Sequence, residues 1–125
     1  MQGTWTRRAR APLIYGAVLA LLAYSWMPAK VPCPNEESRA YLAIALAEHG
    51  TVRIDRPFRE YGKIQDVSRS GGHRYTDKAP GTGYLGAGLY GLVRLALDTD
   101  GWGIADVLNL FRTWLMIPIG LFGFF

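Results

Sequence analysis

Apolar residues gather in three runs, 11–27, 83–97 and 104–125, and the stretch between the first two is polar. The first run follows a head, residues 1–10, that carries Arg7, Arg8 and Arg10. At about 17 residues it lies at the short end of what a spanning helix needs, about 20. No small-x-small cleavage site follows it, so the pattern predicts an uncleaved transmembrane helix over 11–27 rather than a signal peptide. Tyr24 and Trp26 suit the interface at its far end. The positive-inside rule then places the basic head in the cytoplasm and residues 28–103 outside, as a periplasmic loop. The third run holds Arg112 near its start and no charge from Trp114 onward. It reads as the start of a second transmembrane helix over 104–125. Its dozen charge-free residues are too few to cross, which predicts a chain truncated within that helix.

The polar stretch carries its own punctuation. Val31-Pro-Cys-Pro34 reads as extended, because each proline disfavours helix before it. Asn35 is an N-cap residue, Glu36 and Glu37 suit the positive end of a helix dipole, and Gly50 supplies a stop. These signals predict a helix near 35–49, too short to span. Thr51-Val-Arg-Ile-Asp55 alternates as a short strand does. Ser70-Gly71-Gly72 separates 64–69 from 73–76 as a tight hairpin turn. Gly83, Ala87 and Gly91 fall four apart and give the helix near 83–97 a small-residue face for close packing. The fold class predicted is mainly α and membrane-bound. It comprises a spanning helix, an outer loop with juxtamembrane helices and a small β-hairpin, and a truncated second spanning helix.

The formal charge of +4 and pI of about 9.5 do not signal nucleic acid. Beyond the head, cations alternate with Asp and Glu rather than lining one face. Cys33 is the one cysteine, which excludes an intrachain disulfide. Gly81-Thr-Gly83-Tyr-Leu-Gly86 matches a dinucleotide-binding pattern in letters only, since no βαβ unit surrounds it; small-residue packing accounts for it better. His49 and His73 have no acid or Cys at zinc-ligand spacing. No cofactor is predicted, and a divalent metal is left open.

Candidate chemistry lies in the acids and in one lysine. Glu36, Glu37, Asp66 and Asp77 are each able to act as a general base if held against a hydroxyl. Arg39 shares a helix face with Glu36 and is placed to pair with it. Lys78, within Tyr75-Thr-Asp-Lys-Ala-Pro-Gly81, offers a compact point charge for phosphate.

Taken in order, these features resemble the N-terminal part of the GT-C membrane glycosyltransferases. The order is basic head, span, Glu36-Glu37-Ser38-Arg39 on a helix, short strands, Tyr75-Thr-Asp-Lys78-Ala-Pro80, apolar helix and Arg-headed second span. The nearest groups are the lipid A aminoarabinose transferases and the protein O-mannosyltransferase-like enzymes, with this chain in a divergent bacterial branch. Two positions depart from the family pattern: Glu36 stands where Asp is expected, and Ala79 where the first Pro of Lys-Pro-Pro is expected.

The resemblance implies a transferase of the inner membrane that moves a sugar from a polyprenyl-phosphate donor to an acceptor on the outer face. Glu36 takes the catalytic role with Glu37 beside it, and Lys78 contacts donor phosphate. Arg39, Asp66, Tyr75 and Asp77 fall to substrate binding. Its partners are membrane lipid, the lipid-linked sugar and the missing C-terminal spans, without which the fragment is expected to be inactive. The alternative is a small non-enzymatic membrane protein or assembly subunit. A transporter fragment fits less well, since no ionisable residue sits deep in a clear span.

Overall fold

The computed structural model describes residues 12, 14–22 and 33–122. Expectations for the basic head, for Tyr24 and Trp26, and for the chain entering Cys33 lie outside those residues. The described part of the first apolar run, α1, is helical at 12 and 14–22. There follow α2 (Pro34–His49), α3 (Asp55–Glu60), β1 (Val67–Ser70), β2 (His73–Thr76), α4 (Gly81–Ala96) and α5 (Ile104–Phe111). A π-helical turn, Arg112–Met116, continues α5 into α6 (Ile117–Phe122).

Helix α2 is the axis of the molecule. Pro34 opens it, where a missing N–H costs nothing, so the helix begins one residue before the predicted Asn35 cap. Gly50 closes it in the left-handed region at φ 61°. From Ala40 to Ala45 every residue is buried, because neighbours surround the helix on several sides. Ala40, Ala43 and Ile44 pack with Tyr90 of α4 and with Val107, Leu108, Leu110 and Phe111 of α5. Tyr41, Leu42 and Ala45 pack instead with Ile54, Phe58 and Ile64.

Helix α4 makes the most extensive contact with α2. Of the predicted small-residue face, Gly83 makes the tight approach, and Gly86, outside that face, makes a second. A Cβ on Gly83 would lie 2.6 Å from Leu42 Cδ2, and one on Gly86 2.6 Å from Phe111 Cζ. Gly83 lies by Leu42, midway along α2, and Thr82 by Arg39, whereas Tyr90 and Arg94 reach Glu48 near its end. The two helices are therefore parallel, and their N-termini share one end of the fold. Helix α5 runs the other way, since Arg112, just past its end, reaches Glu36.

The hairpin forms as predicted. Val67 pairs with Thr76 and Ser70 with His73. Gly71 and Gly72, at φ 57° and 80°, make the two-residue turn whose positive dihedrals match the strand twist. Residues 51–54 form no strand. Ile54 gives a single amide bond to the Arg74 carbonyl at 2.9 Å, and the chain then turns into α3. Pro57 fits there because the first helical turn has no amide partner to lose.

The largest correction concerns the membrane. Among the described residues no helix is long and apolar enough to cross one. The third apolar run is interrupted: α5 has 8 residues, with Asp106 in its first turn bonded to the Gly103 amide at 2.9 Å. The π turn breaks its ladder, and α6 contains Pro118. Helix α4, at 16 residues, spans about 24 Å against the bilayer's ~30 Å and carries Arg94.

Candidate functional site

The shared N-terminal end of α2 and α4 holds a cavity of ≈ 70 Å³ with two kinds of wall. Glu36 and Arg39 of α2, Thr82 of α4 and Arg112 of the π turn supply polar groups. Leu108, Phe111, Leu115 and Met116 supply an apolar wall. Each side chain is placed by a local cause. Glu36 and Arg39 are one helical turn apart, so both face the same side of α2. Thr82 enters because Gly83 lets α4 lie close against Leu42. Arg112 is brought in because α5 runs antiparallel to α2.

The predicted Glu36–Arg39 pair does not form. Glu36 Oε2 instead accepts from Arg112 Nη2, a partner 76 positions along the chain. Arg39 is left without an ion-pair or hydrogen-bond partner among the described residues, and its Nε is buried. Thr82 Oγ1 is likewise buried and unpaired. Two open polar groups therefore share one cavity beside an ion pair. Both helix N-termini add partial positive charge there, which favours an anion.

Lys78 lies on another side of α2. Its Nζ is 3.5 Å from Asp66 Oδ2 and 3.5 Å from Asp77 Oδ1, and it does not line the cavity. A hydrogen-bonded chain fixes this segment. The Lys78 amide donates to Thr76 Oγ1 at 3.2 Å. Ser38, fully buried, gives its proton to the Asp66 carbonyl at 2.7 Å. That leaves Ser38 Oγ to accept from the Thr76 hydroxyl at 2.6 Å. Such chains polarise one another and hold their members firmly. Lys78 thus sits in the short segment leading into α4, four positions before Thr82.

The predicted residues therefore divide into two groups. Glu36 and Arg39 meet at the cavity, and Lys78, Asp66 and Asp77 meet at the hairpin exit. Glu37 lines neither; burial raises its carboxyl pKa above the ordinary value. Tyr75 is half-buried in β2, opposite Ser68. Sequence reasoning missed Arg112, Thr82 and Ser38 as site members. A lone arginine within an apolar run was the available signal for Arg112. Thr82 and Ser38 gave none. Among the described residues no group of three His, Cys, Asp or Glu is placed to hold a metal ion.

Elsewhere two acids are engaged several times over. Glu48 Oε1 accepts from the Tyr90 hydroxyl at 2.8 Å and pairs with Arg94. Burial first, then this bond, pushes the Tyr90 phenol up to about 12. Asp55 accepts from His73 Nδ1 at 2.9 Å and from the Arg74 amide and guanidinium at 3.1 and 3.2 Å. Burial alone would raise its pKa, but these bonds outweigh it and hold the carboxyl below its usual value.

Comparison with family models, with curated proteins and with solved structures finds no match for this chain.

Proposed function

We propose that this chain forms the donor-binding part of a glycosyltransferase that takes a sugar from a polyprenyl phosphate at a lipid surface. One observation carries the reading: the cavity joins unpaired cationic and hydroxyl groups to an apolar wall, the two chemistries a lipid phosphate presents. Arg39 has the planar fork that grips phosphate oxygens in pairs. Arg112, beside Glu36, supplies a second guanidinium for the charge that builds on the departing phosphate. Glu36 is then the carboxylate nearest the reacting phosphate and the acceptor's base. Lys78 stands ahead of α4, outside the cavity, with its charge offset by Asp66 and Asp77.

Contact with lipid is supported by α4. Tyr84, Leu85, Leu92 and Leu95 lie exposed along one arc, while Gly83, Gly86 and Tyr90 pack inward. A helix apolar on both faces expects lipid or protein over its outer one. That stripe equally suits the alternative reading, a non-enzymatic assembly subunit, which does not need the cavity.

Tryptophan fluorescence titration with a short polyprenyl phosphate in neutral detergent micelles separates the two. The transferase reading expects the phosphate to bind at least about tenfold more tightly than the uncharged polyprenol, about 1.4 kcal/mol. It also expects Arg39→Gln to abolish that preference. Equal binding of alcohol and phosphate contradicts it.

A further inference from the structure

A second basic feature lies toward the other end of α2. Arg53, Arg56, Arg59 and Arg74, with His49 and His73, line an open groove of ≈ 400 Å³. This corrects the expectation that no face gathers the cations. The residues lie apart in sequence, but the turn after Gly50, helix α3 and strand β2 bring them together. Arg53, Arg56 and Arg59 recur at three-residue spacing and are exposed.

The groove is braced from within. Asp55 is its only acid, and it is already engaged by His73 and Arg74. Arg74 is further held over the Phe58 ring, its Cζ 4.5 Å from the centroid. Its Nε remains buried and unpaired. Arg56 Nη1 donates to His49 Nδ1 at 3.2 Å, a neutral partner that leaves its charge uncompensated. Arg53 and Arg59 have no ion-pair partner among the described residues. Four guanidinium groups thus face one carboxylate, a formal surplus of three charges with the imidazoles neutral.

We propose that this groove binds a ligand carrying two adjacent phosphate groups. One phosphate monoester brings about −1.5 to −2 charges, too few to match the surplus, and two joined phosphates come close. Several guanidinium forks along a groove also suit a row of phosphate oxygens better than a single tetrahedron. The ligand is a free diphosphate or one borne by a lipid. The site is separate from the cavity at the N-terminal end of α2, and its existence does not depend on the donor-binding reading.

Isothermal titration of the whole chain with inorganic diphosphate, orthophosphate and sulfate at fixed ionic strength tests the proposal. Diphosphate is expected to bind at least about tenfold more tightly than either single tetrahedral anion. Arg53→Gln with Arg59→Gln removes that preference, and both side chains are exposed, so folding is retained. The single change Arg59→Lys keeps the charge but loses the fork, and weakens diphosphate binding about threefold. Repeating the titrations in an Arg39→Gln background removes anion binding at the cavity, so the diphosphate preference read there belongs to the groove alone. Neutral phosphatidylcholine vesicles carrying a polyprenyl diphosphate identify the source. Binding tighter than to inorganic diphosphate assigns a lipid-borne ligand, and equal binding a free one. Equal affinity for diphosphate and sulfate, or a double variant that binds as the wild type does, overturns the proposal.

Discussion

The acids near the C-terminus of α2 and the cavity at its N-terminus differ in how far their polar groups are met. Near its C-terminus Glu48 is met by Tyr90 and Arg94, and nearby Asp55 is met by His73 and Arg74. At its N-terminus Arg39 and Thr82 leave buried polar atoms open. A buried polar group without a partner is costly, typically about 1–3 kcal/mol, so evolution tolerates it where a ligand completes it. The Glu48 network is architecture; the open atoms, at the cavity and at Arg74 Nε in the basic groove, have the character of sites. Stability and binding should therefore fail independently when the two ends are altered.

The sharpest structural break is Gly86→Val, which forces side-chain atoms into the Phe111 ring and separates α4 from α5. Overpacking of this kind costs about 1–3 kcal/mol and lowers the denaturation midpoint in urea. Glu48→Gln removes the carboxylate shared by Tyr90 and Arg94. Arg94 is partly exposed, so solvent screens its share, and a loss of about 1–2 kcal/mol is expected in the same assay. Arg39→Gln, at the cavity, should shift stability by less than about 0.5 kcal/mol, because it breaks no hydrogen bond or ion pair among the described residues. Lys78→Ala should weaken polyprenyl phosphate binding less than Arg39→Gln does, since Lys78 stands outside the cavity.

The smallest effect is a pH dependence at Asp55. The folded pKa of Asp55 lies below its unfolded value. Its contribution is therefore present above that unfolded value, about 3.9, and is lost as pH falls toward the folded one. Asp55→Asn should flatten the acid limb of a stability profile measured by circular dichroism below about pH 4, with little change in its slope above pH 5.

The local elements were legible where chemistry is local. Gly71-Gly72 has few other uses than a tight turn, and the start read near residue 35 with the stop at Gly50 brackets α2 to within a residue. Residues 51–55 misled because alternation over five positions also suits a buried Ile54 leading into a helix. Residues 104–125 misled because hydropathy does not register an interrupted helical ladder. At the site, Glu36 and Arg39 were legible as neighbours on one turn. Their separation was not, since Arg112 arrives from 76 positions away through the antiparallel course of α5. The basic groove was hidden for the same reason: its cations come from three elements that only the fold assembles.

Thermal denaturation with and without a short polyprenyl phosphate in neutral micelles tests the contrast between the two ends most directly. A ligand bound only by the folded state raises the midpoint by mass action. Glu48→Gln is predicted to lower the midpoint yet keep the full ligand-induced rise. Arg39→Gln is predicted to keep the midpoint and lose the rise. An Arg39→Gln chain still stabilised by polyprenyl phosphate as fully as the wild type would contradict the account.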